Sequence, residues 1–467
     1  MPSEAASTTD PERPFRVAIV GAGPAGFYAA DRLLRDEHPI EVEMFDRLPT
    51  PFGLVRAGVA PDHPKIKAVT RVFEKTAKRE GFRFHGHVEI GSDLTHDELT
   101  SCHDAVIYTY GAAHDRRLGI PGEDLPGSVP ATRFVAWYNG HPDASGHDFD
   151  LSGKRAVVIG NGNVAVDVAR MLVLPREEMA ETDIADHALE VLSASSIEEV
   201  VILGRRGPAQ AAYTTPELRE LGELTDADVI VDPAEVVLDG ASRQWLESEH
   251  ADRTARDNVE IVEEYSQRAP SGKPKRVVLR FLASPVEILG DERVEGIRVV
   301  HNELIADDGG QIRAHHTDRE ATIECDLVLR SVGYRGEGIE GLPFDERTGT
   351  ILNEGGRVLH EPGGEPFRGV YTAGWIKRGP SGVIGTNKKC ANDTVDLLLE
   401  DLDAGILPKA GGDSAALDSL LAERAPHRID YAGWERIDEH ERELGEAQGR
   451  PRVKLVTHDH LREKATG

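Results

Sequence analysis

Phe15 to Val20 (FRVAIV) is a short apolar run, and it breaks directly into Gly21-Ala22-Gly23-Pro24-Ala25-Gly26. The run has the continuous hydrophobicity of a strand buried on both faces. The hexapeptide is a G-x-G-x-x-G turn, and Ala25 to Leu34 continues it with helical spacing. Ile40 to Phe45 reads as a second strand ending on Asp46, 20 residues after Gly26. Strand, glycine turn, helix, strand and acid in this order form the dinucleotide fingerprint. Gly21 permits the tight turn. Gly23 lets the backbone approach a pyrophosphate at a helix N-terminus, and Gly26 lets the helix sit close on the strand. Asp46 can accept hydrogen bonds from ribose hydroxyls and would repel a 2′-phosphate, so this site suits FAD or NAD rather than NADP.

A second copy follows, with a different ending. Ala156 to Ile159 is another buried strand, and Gly160-Asn161-Gly162-Asn163-Val164-Ala165 is a G-x-G-x-x-A turn opening a helix over Val164 to Leu174. The next strand, Val200 to Leu203, ends on Gly204-Arg205-Arg206. The 40 residues between Ala165 and Arg205 are about double the usual spacing. Pro175 to Ser196 reads as an acidic insertion with helical pieces, inside a segment 175–199 whose role the residues do not disclose. Two arginines where the first copy has an acid would grip a 2′-phosphate through planar, charge-assisted forks. This site therefore suits NADP.

Asp104 to Tyr110 and Asp326 to Val332 are further strands, each ending in glycine, and read as crossing points between domains. The expected fold is α/β and three-layered, with two Rossmann-like domains. An NADP-binding domain over residues 113–335 interrupts an FAD-binding domain built from 13–112 and 336–467. Residues 1–12 are expected to be a disordered tail. Gln267 to Lys275 reads as an exposed loop. A third glycine loop, Gly379-Pro380-Ser381-Gly382-Val383-Ile384-Gly385, follows the strand that ends on Gly374-Trp375 and opens a helix to about Leu402. Its amides and helix dipole would stabilise the anionic edge of a reduced flavin, with Trp375 packed on the ring.

The chain has 467 residues, enough for two cores, and a formal charge of −28. That charge repels nucleic acid and anionic lipid. Three scattered cysteines, Cys102, Cys325 and Cys390, without a C-x-x-C or other metal-ligating spacing, argue for a reducing compartment. No apolar run is long enough for a membrane helix and no signal peptide is evident, so a cytoplasmic location is expected.

The chain resembles the adrenodoxin reductase family, and most closely bacterial NADPH–ferredoxin reductases of that type. The resemblance rests on VAIVGAGPAGFYAA, PTPFGLVRAGVAPDHP from Pro49 to Pro64, VVIGNGNVAVDVAR, ILGRRGPAQAAYTTPELRE, RSVGYRG, AGWIKRGPSGVIGTNKK and the closing GRPR at Gly449 to Arg452. It implies that Gly21, Ala25, Asp46, Leu54 and Val88 line FAD. Many members carry Glu in place of Asp46. Arg116, Asn161 to Val164, Arg205, Arg206 and Glu217 would contact NADPH. Trp375 and Gly382 to Ile384 would touch the isoalloxazine, with Gly382 near the nicotinamide too. His63 and Glu220 resemble the family's active-site ionic couple. The implied partner is a small iron–sulfur ferredoxin, and the implied enzyme an FAD-dependent ferredoxin–NADP(+) reductase acting as a monomer or weak oligomer.

On residue logic, hydride transfer needs no strong base, so His63 is expected to orient the nicotinamide or tune the flavin rather than abstract a proton, with a purely structural couple as the other reading. The missing cysteine pair excludes an internal disulfide exit, and the missing cysteine sets exclude internal iron–sulfur clusters. A quinone diaphorase and a non-catalytic flavoprotein redox sensor remain as other readings. Two basic stretches could meet an acidic partner: Lys67, Arg71, Lys75, Lys78 and Arg79 at helical spacing, and Lys377, Arg378, Lys388 and Lys389 beside the flavin loop.

Overall fold

The computed structural model describes residues 13–249, 251–307 and 311–467. The tail expected over residues 1–12 lies outside them. The chain opens with β1 (Phe15–Val20), α1 (Pro24–Leu33), β2 (Ile40–Asp46), α2 (Pro64–Lys67), α3 (Thr70–Ala77), β3 (Phe82–Gly86) and β4 (Ala105–Tyr108). It then leaves this group for β5 (Ser128–Pro130), α4 (Ala131–Tyr138), β6 (Arg155–Ile159) and α5 (Asn163–Val173). There follow α6 (Arg176–Ala180), α7 (Asp186–Ser193), β7 (Glu199–Leu203), α8 (Thr215–Leu221), β8 (Ala227–Val231) and β9 (Lys275–Arg280). An antiparallel meander, β10 (Ala283–Leu289), β11 (Gly296–Ala306) and β12 (Ile312–Glu324), precedes β13 (Leu327–Arg330). The return is made by β14 (Asn353–Glu354), β15 (Arg357–Leu359), β16 (Pro366–Thr372), α9 (Ile384–Asp403) and α10 (Tyr431–Glu446).

Two sheets result. The first runs β14-β15-β16-β4-β1-β2-β3, and the second β5-β13-β6-β7-β9-β8. In each, the strand before the glycine turn lies between the next strand of its own motif and a crossing strand. β1 pairs in parallel with β2 and β4, and β6 in parallel with β7 and β13. The order reverses at β1/β4 and at β6/β13, and an open parallel sheet binds ligands at such switch points, beyond the strand C-termini. Gly21 and Gly160 stand at those two points.

Alternate side chains of the central strands enter different cores. Val17 and Ile19 pack with Phe27, Leu33 and Leu398, while Ala18 and Val20 pack with Leu94, Leu99 and Leu421. Burial on both faces is what the continuous apolar runs require. In the second sheet, Ala156 and Val158 join the helical core, but Val157 and Ile159 meet Ala283, Ile288, Ile297 and Val299. One outer layer of this unit is therefore the β10–β12 sheet and not a helix pair. The acidic insertion is also not a surface excursion. Met179, Ile184, Ala188, Leu189 and Leu192 from α6, α7 and their link are buried in the helical core. The segment before β9 is an exposed loop, as its composition indicates. Among the described residues, no helix is long and apolar enough to cross a membrane.

Candidate functional site

The first turn is built as a cradle. Gly21 has φ +106°, and a Cβ there would lie 2.6 Å from Cα of Tyr110. A Cβ on Gly26 would lie 2.2 Å from the carbonyl oxygen of Gly21, so the α1–β1 contact depends on glycine. Gly23, the N-cap of α1, has open space where its side chain would be and no side-chain cap on the helix amides. Its surroundings leave room and donors for an anion. Asp46, at the end of β2, accepts from the Ala22 amide through Oδ2 (2.7 Å) and from the Leu48 amide through Oδ1 (2.9 Å). Each oxygen keeps a second lone pair for a ribose hydroxyl. The side chain of Val88 is buried, and its amide donates to the Asp46 carbonyl at 2.9 Å.

The end of the strand that leads into the third glycine loop reaches this turn. A Cβ on Gly374 would sit 2.7 Å from Cβ of Ala25. Leu54 and Val383 are large apolar side chains left 39% and 53% exposed. Gly382 (φ +77°) is exposed, Val383 caps α9, and Ile384 is half-buried. Trp375 lies 5.2 Å from the Tyr334 ring, and its indole Nε1 is buried with no hydrogen-bond partner among the described residues. An orphaned donor and two exposed apolar side chains around a wide glycine cradle fit a large planar ring with polar edges.

In the second turn, Gly160 has φ +119°, and a Cβ would meet the Ser331 carbonyl oxygen at 2.1 Å. Gly162 is the N-cap of α5, with no side-chain cap on the helix amides, and a Cβ there would just touch Cβ of Ala212 at 4.0 Å. The side chain of Asn163 accepts from the Thr214 amide at 2.7 Å, while Asn161 Nδ2 is buried and unpartnered beside half-exposed Val164. Arg205 is exposed and Arg206 half-buried. Among the described residues neither is paired with an acid. Burial and the Arg205 charge push the Arg206 guanidinium below its ordinary range. Asn302, fully buried on β11, donates to the Arg205 carbonyl at 2.7 Å and so fixes the backbone that carries the pair. Arg116 is exposed on the crossing segment, its amide bonded to the Gly333 carbonyl at 3.0 Å.

Between the two units lies a charged junction. His63 Nε2 is 2.8 Å from Oε2 of Glu220, so the two residues expected to couple do meet. They come from different units: His63 caps α2 and Glu220 lies on α8. Arg170 on α5, 2% exposed, contacts Glu220, His63, Asp62 (2.8 Å), Asp167 (3.2 Å) and Glu217 (3.4 Å). Burial, then the charge of Glu217, drives Asp167 well above the usual carboxylate range. Burial also raises Glu217, with His63 and Arg170 opposing. His63, Asp167 and Glu217 place ligand-type atoms within 4.8 Å of one another, but the Arg170 guanidinium already supplies the cationic charge there.

Sequence reading missed Arg170, Asp167 and Asp62. The available signal was two charges, three residues apart, in the otherwise apolar helix NVAVDVARMLV. It also misplaced Lys67, whose Nζ turns inward to Asp183 at 2.6 Å rather than to a partner. Lys78 and Arg79 are paired with Glu435 and Asp31. In the other basic stretch, Lys377 bonds the Gly355 carbonyl, Arg378 the Asn387 side chain, and Lys389 pairs with Asp393.

The pyridine nucleotide-disulphide oxidoreductase family model matches residues 15–207. The NADPH-ferredoxin reductase FprA of Mycobacterium leprae is 51% identical over 452 residues, covering 95% of this chain and 97% of that protein. The mitochondrial NADPH:adrenodoxin oxidoreductase of Arabidopsis thaliana is 41% identical, covering 96% of this chain and 95% of its own length. The structure of Mycobacterium tuberculosis FprA in complex with NADPH superposes with a TM-score of 0.91 at 47% identity, over 97% of this chain and all of that one. With two matching glycine turns, a shared fold and end-to-end identity of this order, the chain belongs to the adrenodoxin reductase-type family of NADPH–ferredoxin reductases.

Proposed function

We propose that the chain is an FAD-dependent NADPH:ferredoxin oxidoreductase. The observation that carries the reading is the contrast between its two ribose ends. A carboxylate, Asp46, closes the first site to phosphate, and two arginines without acidic partners open the second. Bound FAD would supply a hydride acceptor for NADPH and a one-electron donor for an iron–sulfur partner. Residues 13–112 and 336–467 would form the FAD domain and 113–335 the NADP domain.

The chain's own residues divide the work. Gly21, Gly23 and Gly26 present amides and space to the pyrophosphate, while Leu54, Ala25 and Val383 offer apolar surface to the ring. Trp375 Nε1, buried with no hydrogen-bond partner among the described residues, offers a donor to whichever acceptor enters. Arg116, Asn161 to Val164, Arg205 and Arg206 hold the nicotinamide nucleotide. His63 and Glu220, one from each unit, set the position of its reactive end. All three cysteines are free and buried, so electrons leave to another protein and not to a dithiol in this chain.

The reading is tested by mixing the purified yellow protein anaerobically with NADPH. The flavin band bleaches within seconds, and reoxidation follows on addition of a ferredoxin. Absence of bleaching would overturn it. Bleaching with turnover of quinones but of no ferredoxin would favour a diaphorase.

The electron acceptor would dock near α2 and α3. Lys65, Arg71 and Lys75 are exposed there, without an ion pair among the described residues, on a body of charge −28. Ile66 and Val72, 41% and 43% exposed, add apolar area between them. An acidic ferredoxin matches this face. Reversing Arg71 and Lys75 together to Glu should raise the KM for an acidic bacterial ferredoxin on the order of tenfold at low salt. The rate of NADPH-driven ferricyanide reduction should hold. A ferredoxin KM that does not move would place docking on another face.

A further inference from the structure

Arg378 grips the third glycine loop at both of its ends. It closes the helical turn Trp375–Arg378, and its Nη1 donates to the Ser381 carbonyl and, at 3.0 Å, to the Ser381 hydroxyl. Its Nη2 donates to Oδ1 of Asn387 at 2.8 Å. Ser381 lies just before Gly382–Ile384, and Asn387 is buried in the first turn of α9 just after them. One planar fork therefore spans the three residues expected at the isoalloxazine. Within that span Gly382 turns at φ +77°, and the Val383 amide donates to the Thr386 hydroxyl at 3.2 Å. The Gly382, Ile384 and Gly385 amides have no protein acceptor among the described residues, which leaves donors open along the loop. Asn387 Oδ1 also lies 3.9 Å from where a Cβ of Gly374 would stand, so the fork reaches the strand end that touches Ala25.

What this guanidinium lacks is an acid. All three of its acceptors are neutral, no carboxylate pairs with it among the described residues, and its buried Nε has no hydrogen-bond partner among them. The groups around it do not compensate its charge. On its own turn, Lys377 bonds the Gly355 carbonyl at 2.8 Å and the Thr394 hydroxyl at 3.0 Å, both neutral. From α9, Lys388 is exposed without an ion pair among the described residues, Lys389 pairs with Asp393, and Cys390 Sγ accepts from the Gly374 amide. From β14, the neutral Asn353 side chain meets the Lys377 carbonyl. A chain of net charge −28 thus keeps a positive point at this loop. A hydride brings two electrons and one proton to FAD, so a ring that takes no second proton gains one negative charge. We propose that Arg378 is a positioning residue for the flavin: its fork holds Gly382–Ile384 at the ring, and its unpaired charge keeps the reduced ring in the singly protonated, anionic form. The inference rests on the reductase reading for the ring on which Arg378 acts. The charge is in place before the electrons arrive, so no group has to move to meet them.

The test reads the bound flavin and uses no NADPH. The holoprotein is reduced by light with a sacrificial donor, and its midpoint potential is followed against reference dyes at mildly acid pH, where free reduced flavin holds a second proton. The parent should take up one proton per two electrons there. Arg378→Gln keeps an amide donor and drops the charge. It should take up two protons, and its preference for the reduced anion over oxidised FAD should fall on the order of tenfold, about 30 mV for a two-electron couple. Arg378→Lys keeps the charge and should stay with the parent; a fall there overturns the role of the charge. Lys388→Gln removes an exposed cation that is not part of the fork and should change neither quantity; an equal shift there overturns the proposal in favour of diffuse surface charge. Two protons per two electrons in the parent overturns it without any variant, and so does an Arg378→Gln protein with the parent's potential and proton count. Should Arg378→Gln fail to hold FAD, the parent and Arg378→Lys titrations still decide. A protein that shows the expected proton count but is not reduced by NADPH would sink the reductase reading and leave the role of Arg378 standing.

Discussion

Changing Arg205 and Arg206 together to Gln should lower kcat/KM for NADPH by roughly 10² to 10⁴, at two lost charge-assisted hydrogen bonds of about 1.5–3 kcal/mol each. The value for NADH should move by less than about threefold, within the range of an exposed surface substitution. The size of the effect follows from what surrounds the pair. Neither guanidinium is engaged by an acid among the described residues, so no internal ion pair must break before a phosphate binds. The Arg205 backbone is held by buried Asn302, and the Arg206 side chain packs half-buried against the turn at Gln210, so Arg206 has less rotamer freedom left to lose on binding. Burial, and after it the Arg205 charge, push the Arg206 guanidinium down, and an arriving dianion offsets both. Steady-state assays with ferricyanide as acceptor measure both ratios without a ferredoxin. An NADPH/NADH preference that survives the double change would mean that the phosphate is read elsewhere.

Both nucleotide turns were legible because their physics is local. Gly21 and Gly160 need positive φ and Gly26 needs a missing Cβ against Gly21, demands set within one strand, turn and helix, although Gly21 and Gly160 are also crowded by Tyr110 and Ser331 of the crossing segments. The crossing strands were legible too, since a strand buried on both faces is a continuous apolar run, as at Ala105–Tyr108 and in the first three residues of Leu327–Arg330. What escaped was made by contacts between distant segments. Arg170 reads as one charge on a helix, and only folding brings it to Asp62, 108 residues away. Lys67 has the helical spacing of an exposed stripe, yet the segment that covers it comes 116 residues later. The β10–β12 layer was illegible for a different reason. β12 is exposed at most of its positions, so its composition resembles a polar loop, and its strand character comes from the partner β11.

The segment between α5 and β7 gives the second large effect. Asp183, in the link between α6 and α7, is 7% exposed and receives Lys67 at 2.6 Å and Lys454 at 3.2 Å. Burial opposes its charge, but the two ammonium groups outweigh burial and hold Asp183 well below the usual carboxylate range. Next to it, Arg450 of the closing GRPR pairs with Asp186 at 2.6 Å and also bonds the Thr182 and Ile184 carbonyls. Arg452 and Arg56 converge on fully buried Glu441 of α10. The insertion is thus the anchor for the C-terminal segment, tying it to the second unit, while Arg56 ties that segment to the first and Lys67 ties the insertion there. Asp183→Ala leaves two ammonium groups sharing one amide oxygen, Asn139 Oδ1, at 3.4 Å from each, with the Arg56 carbonyl at 3.2 Å from Lys454 as a further neutral acceptor. Breaking a buried pair in this way costs about 3–5 kcal/mol. Melting should therefore fall by several degrees at neutral pH, and trypsin should cut after Arg452 or Lys454, both shielded in the parent. The pH dependence has a definite sign. Burial pushes Lys454 far below the ordinary lysine range, and with Asp183 gone nothing opposes it, so the unfolded chain binds more protons than the folded one. The variant should then regain stability as pH rises towards about 10, where an unfolded lysine also begins to lose its proton. A variant that melts within about a degree of the parent and resists trypsin equally would show that the tail is held by packing alone, since surface-like changes stay within about 0.5 kcal/mol.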